Sequence, residues 1–274
     1  MQQNNPYGFH LDPEASQAQP AGTSHVSQSA AQYNLNGAEY YQSPYQQADP
    51  FAGVVDLTAR KKKCLTISLA IMCGGLVIST MSAFVTYIVL MLFPEMFSVV
   101  WIGSLIFELI MVFATSHCIT KNKAGLGIVC YILYAIANGT TFLSIFINYA
   151  PASILSLFLV TAVIFGGTTL VSLAIPKDMS RWSLSLTMGL FALLAMMLLN
   201  MFFRLPAFDT FICIFGIVLF VAITAYDVKK VNALAMEDTA SSVWTVGLFG
   251  GMNFYLDFVN LLLRILRLFG RKSN

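Results

Sequence analysis

The chain has 274 residues, of which 57% are hydrophobic and 10% charged, with a formal net charge of +2 and a mean hydropathy of +0.73. Soluble domains carry about 25% charged residues, so composition excludes a water-soluble globular protein. An integral membrane protein is expected, with the lipid bilayer as its first partner and no nucleic acid among the others.

Residues 1–59 do not share that composition. They hold nine Gln, clusters such as "QQNNPY" and "QSPYQQADP", and no Lys or Arg. Such a segment cannot bury enough apolar surface to offset its ordering entropy, and it lacks the basic start and apolar core of a signal peptide. It reads as a disordered tail. Tyr33, Tyr40, Tyr41 and Tyr45 stand among Pro and Ser as in adaptor ligands, which would make the tail a docking arm for a membrane-protein partner; its composition favours a solvated tether.

From Arg60 to the C-terminus, apolar runs follow one another, each long enough to cross ~30 Å of hydrocarbon at 1.5 Å per residue. Seven are expected, at about 65–93, 98–118, 124–148, 152–175, 183–203, 210–228 and 244–269. Connections are short, which leaves no room for a soluble domain between them. Arg60, Lys61, Lys62, Lys63, Lys121, Lys123, Lys177, Arg181, Lys229 and Lys230 fall on one side, and Arg204 alone in the opposite loops. The bias places the N-terminus in the cytoplasm. Seven full crossings would then put Arg264, Arg267, Arg271 and Lys272 outside, against the rule. Either the last helix is an exception, or it enters the bundle without an ordinary crossing.

Polar groups within the spans carry the remaining information, because each costs several kcal/mol in hydrocarbon unless it meets a partner or a cavity. On the last helix Asn253, Asp257, Asn260 and Arg264 recur at four, three and four residues, which places them on one face. That stripe must turn into the bundle. For the two Asn residues, hydrogen-bonded glue between helices is an adequate account; a lone carboxylate is expensive glue. Asp227 in "TAYDVKK" and Glu108 in "IFELIM" are the acidic residues in other spans. If the last helix begins near Gly250 and Gly251, Asp257 lies at the depth of Asp227; a start at Trp244 weakens the match.

Two carboxylates in a low-dielectric site cannot both ionise, so the pair would share a proton and titrate as a unit. Protonated, it would hold two helices by a hydrogen bond; ionised, it would repel and offer oxygens to a cation. Calcium takes 6 to 8 oxygens, so Asp227 and Asp257 suit a weak site in a passage or gate. Asn138, Thr140 and Thr141 in "ANGTTFLSI", and Thr168 and Thr169 in "FGGTTLVSL", would add neutral oxygens. Arg264 shares the face of Asp257 and would favour its ionised form, unless it snorkels to the interface, the favoured reading; Arg267 is a second modulating charge.

"YLDFVNLLLRILRLFG" at 255–270, preceded by "AYDVKK", resembles the C-terminal signature of the transmembrane Bax inhibitor motif family, of the Bax inhibitor-one type. The resemblance covers roughly residues 60–274, and Glu108 falls where the family has an acidic residue. It implies a bundle whose last helix is central, wrapped by two layers of three helices. It also implies a pH-sensitive calcium leak with an aspartate pair as sensor, here Asp227 and Asp257. Some members carry a basic cluster after the second helix that latches onto the aspartates; "SHCITKNK" supplies His117, Lys121 and Lys123 but no Arg.

Other classes fare worse. The last helix lacks the buried Lys that a retinal Schiff base requires, the third and seventh helices hold no G-protein-coupled-receptor motif, and three His, two of them in the tail, leave little acid–base chemistry. No Gly-x-Ser-x-Gly with a buried His and no Cys-x-x-Cys is present, so neither an enzyme nor a tightly bound cofactor is expected. Cys64, Cys73, Cys118, Cys130 and Cys213 read as small core residues. Three functions stay open: a calcium-permeable monomeric conduit, a membrane regulator that binds a protease or a cell-death or stress protein, and a proton-coupled exporter. A bacterial inner membrane fits better than an internal eukaryotic one.

Overall fold

The structure is a computed structural model and describes residues 52–121, 123–175, 180–236 and 242–273. The tail up to residue 51 with its tyrosines, and Lys177, Asp178, Glu237 and Asp238 in connections, lie outside these residues. The helices are α1 (Ala52–Leu92), α2 (Phe97–Thr120), α3 (Ala124–Ala137), α4 (Gly139–Asn148), α5 (Pro151–Ala174), α6 (Ser183–Phe203), α7 (Pro206–Met236) and α8 (Val243–Phe269). They supply seven spans long and apolar enough to cross a membrane, with α3 and α4 together making the third. Exposed apolar side chains such as Phe84, Val163, Phe191 and Phe202 form the lipid-facing surface of an all-α membrane bundle.

The innermost helix is α8. Its Phe254, Tyr255 and Leu261 are wholly buried, and it touches α1, α2, α3, α5 and α7. On one side lie α1, α2 and the α3–α4 pair; on the other lie α5, α6 and α7. Close approach to α1 depends on small residues, since a Cβ on Gly247 would meet Ile67, one on Gly250 would meet Ser68 and Val231, and one on Gly251 would lie 2.6 Å from the Ile71 Cβ. Gly247 and Gly251 are one turn apart, the small-xxx-small spacing that lets membrane helices pack backbone to backbone. The same contacts show that α8 runs parallel to α1.

Against α7 it runs antiparallel. Gly250 meets Val231, Gly216 meets Arg264, and Asp209 pairs with Arg267. The last helix therefore runs the length of α7, and its C-terminus lies beside the α4–α5 connection, where the Ala150 amide donates to the Arg271 carbonyl at 2.9 Å. With 27 residues α8 is long and apolar enough to cross a membrane.

Several boundaries differ from the sequence reading. Residues 52–59 are the first turns of α1 rather than the end of the tail. The run at 124–148 is two helices broken at Asn138. The sixth span does not end at 228: α7 continues through Lys229 and Lys230 to Met236. Lys229 donates to the Ile175 carbonyl, and Lys230 lies 4.7 Å from the Phe249 ring centroid, so both cations are accommodated on a helix that has not ended. The start of α8 is fixed by Ser242, whose side chain accepts from the Thr245 amide at 3.1 Å, an N-cap. Cys64, Cys118 and Cys213 are buried as expected, but Cys73 is exposed.

Candidate functional site: an acidic pair beside a broken helix

Asp227 on α7 and Asp257 on α8 are 8% and 3% exposed and close enough to act on each other electrostatically. Helix α8 does start near Trp244, the arrangement expected to spoil the match. The pair meets nonetheless because α7 runs on past Asp227 for about two and a half turns, which sets Asp227 as deep as Asp257. Lys230, one turn further along α7, is the cation that acts on Asp227.

Asp257 Oδ2 is buried without a hydrogen-bond partner among the described residues. Thr224 is its polar neighbour on α7. The Thr224 hydroxyl also lies within hydrogen-bond distance of the Phe220 carbonyl of its own helix, at 2.8 Å. Sequence reasoning missed Thr224, although its three-residue spacing from Asp227 puts both on one face of α7.

The second polar group surrounds the break between α3 and α4. Ending a helix inside a membrane frees the carbonyls of its last turn, and each must find a donor. Tyr134 O receives the Asn138 amide at 3.0 Å. Ala135 O receives the Ser79 hydroxyl and Ile136 O the Ser82 hydroxyl, both at 2.7 Å, and Ala137 O receives Thr140 Oγ1 at 3.0 Å. The approach of α1 that delivers the serines needs a glycine at 139, where a Cβ would lie 2.6 Å from the Ser82 Cβ. The two serines lie more than fifty positions upstream of the carbonyls they serve, so no local pattern in the sequence marks the break.

Around the break, Tyr255 shares a 2.6 Å hydrogen bond with Ser79, Asn138 Nδ2 donates to the Tyr134 hydroxyl at 3.2 Å, and Thr141 donates to Glu108 Oε1 at 3.4 Å. Asn138 Oδ1 is buried without a partner among the described residues. Thr140 bonds Ser104 of α2 at 2.5 Å. The candidates Glu108, Asn138 and Thr140 thus do converge, from α2, α3 and α4. Asn253 and Asn260 do not join them. Both are half-buried, and Asn260 donates to its own helix at the Leu256 carbonyl, 2.8 Å. Thr168 and Thr169 likewise bond back to Ile164 and Phe165 on α5.

The arginines at the far end of α8 depart furthest from expectation. Arg264 is 6% exposed, so it does not snorkel. Nor does it serve the aspartates: its charged and thiol neighbours are Cys213, Arg267 and Asp209. Arg267 grips Asp209 with both ends of its guanidinium, at 2.6 and 2.9 Å, away from the pair it was expected to modulate. Among the described residues, no group of three His, Cys, Asp or Glu side chains comes together as a metal site; the two carboxylates stand as a pair.

Comparison with known proteins agrees with this architecture. A family model described as "Inhibitor of apoptosis-promoting Bax1" matches residues 62–274. The inner membrane protein YbhL of Escherichia coli K12 is 35% identical over 174 residues, covering 62% of this chain and 74% of that protein. An uncharacterized protein of Borreliella burgdorferi is 29% identical over 233 residues, 81% of this chain and the whole of the relative. An uncharacterized membrane protein of Streptococcus pyogenes, SpyM3_0260, is 28% identical over 202 residues. With a match across nearly the whole membrane region and a central last helix carrying the aspartate signature, this chain belongs to the Bax inhibitor family.

Proposed function

We propose that the protein is a proton-gated cation leak with calcium as its cargo, in which the Asp227–Asp257 pair sets how α8 sits against α7. The observation that carries the reading is the burial of two interacting carboxyls between the central helix and its antiparallel neighbour, with Asp257 Oδ2 unpartnered. With a proton present, Asp257 can donate to Thr224 or to Asp227 and hold the helices together. Without it, two like charges in low dielectric repel, and their oxygens become available to a divalent cation. Glu108, Asn138 and Thr141 at the break give such a cation its next oxygens on the way through the bundle. A sparse ligand set suits passage better than storage.

The distribution of Lys and Arg supports a cytoplasmic N-terminus, and the inner-membrane relative supports a bacterial inner membrane. The reading needs one chain, no tightly bound cofactor and no catalytic chemistry. The test is calcium influx into dye-loaded liposomes from pH 5 to 8 for the native chain and for Asp257→Asn. A leak whose pH dependence disappears in the variant supports the gate. No leak above empty liposomes, or one indifferent to the substitution, removes the conduit and turns attention to protein partners of the tail.

A further inference from the structure

At the end of the bundle away from the aspartates, α6, α7 and α8 enclose a cleft of about 780 Å³ whose lining includes Met197, Asn200, Arg204, Asp209, Ile212 and Arg267. Arg264 lies directly behind it. One terminal nitrogen of its guanidinium meets the Met197 sulfur at 2.8 Å, and its Nε is buried without a hydrogen-bond partner among the described residues. A seat is built for this side chain, because Gly216 lies against its stem, where a Cβ would sit 3.2 Å from Cδ and Nε. Arg204 is the positive-φ non-glycine residue of the described chain, φ 51°, at a helix C-cap where glycine is ordinarily found.

The charges do not balance. Among the described residues, Arg204 and Arg267 of the lining and Arg264 behind it stand against one carboxylate, and Asp209 is already engaged by Arg267 and by the Asn200 amide at 3.2 Å. A guanidinium cannot shed its proton to escape burial, and a thioether is a poor partner for it. Asn200 does not compete for an anion, since its oxygen accepts from the Leu205 amide at 3.1 Å.

We infer that this cleft is an anion site for a phosphate group, carried by the headgroup of an anionic phospholipid in the leaflet opposite the Lys-rich loops, with Arg204 and Arg267 at its rim and Arg264 as its buried charge. The inference is independent of the proton gate, and its test uses no flux. The full chain would be reconstituted in nanodiscs of phosphatidylcholine, alone or with phosphatidylglycerol, and in phosphatidylcholine with added inorganic phosphate; thermal midpoints and lipid retained in native mass spectra would be measured. Phosphatidylglycerol should raise the native midpoint by several degrees and remain bound. Arg204→Gln, on the exposed rim, should weaken retention roughly tenfold, the loss of one charge-assisted contact, and Arg264→Met should abolish it. A response to inorganic phosphate alone would support the same site with a free anion as its occupant. No response to either probe, or an equal response in native, Arg204→Gln and Arg264→Met proteins, would overturn it. Because Arg204 is exposed, its variant keeps the test decisive if Arg264→Met does not fold.

Discussion

The antiparallel pair α7–α8 buries charge at both ends, and the two ends are solved differently. At one, Asp227 and Asp257 place like charges together; at the other, Arg264 is buried beside an Asp209 already held by Arg267. A carboxyl can escape burial by taking up a proton from water. A guanidinium cannot lose one at any ordinary pH. The acidic end can therefore be neutral by itself, whereas the basic end is permanently charged and needs an opposite charge to balance it. One helix pair thus carries a titratable end and a fixed one.

The largest effect should come from breaking what both ends share, the seat of α8 on α1. Gly251→Leu would drive a side chain into Ile71 and the Ser68 carbonyl, overpacking expected to cost roughly 3 kcal/mol and to yield protein that does not run as a single species on size exclusion. Gly74→Leu, on α1 where no atom of another helix among the described residues lies within 4 Å of the added Cβ, should leave the elution profile and the melting temperature unchanged. Equal behaviour of the two would mean that α8 is not held by this glycine face.

The two ends also differed in how far they could be read from sequence. Asp257 and Asp227 stood out because a carboxylate in a long apolar run has few explanations, and the central place of α8 followed from its polar stripe and from family resemblance. The meeting of the pair was hidden by Lys229 and Lys230, which looked like the end of a helix until their partners, a carbonyl at the end of α5 and an aromatic ring, were seen. The break at Asn138 was hidden for a related reason: the donors that make it tolerable sit on α1. Arg264 misled most. A lone arginine near a helix end ordinarily reaches the interface, and only the conjunction of Gly216, Met197 and Asp209 from two other helices shows that this one is held inside.

A smaller effect, opposite in sign to the usual outcome of a core substitution, sharpens the contrast. In phosphatidylcholine, where nothing balances the buried guanidinium, Arg264→Met should be neutral or stabilising by about 1 kcal/mol, because replacing an uncompensated buried charge by an apolar chain of similar reach removes its desolvation cost. Adding phosphatidylglycerol should reverse the order, leaving the native protein with the higher melting temperature. A variant less stable than the native chain in both lipids would mean that Arg264 is satisfied within the protein.

The smallest effect decides which partner Asp209 serves. Its carboxylate and Arg267 are 27% and 48% exposed, and pairs so open to water contribute less than about 1 kcal/mol. If Asp209 answers only to Arg267, Asp209→Asn should lower stability by no more than that, with Asn200 and the amide still able to hydrogen-bond. If instead it is the counter-charge of Arg264, its removal strands a buried cation, and the loss should reach 3 kcal/mol or more. The geometry favours the first outcome, since both carboxylate oxygens point to Arg267. The same substitution removes the one negative charge from the cleft, so phosphatidylglycerol should bind more tightly to Asp209→Asn than to the native chain, a gain of affinity that only an anion site predicts.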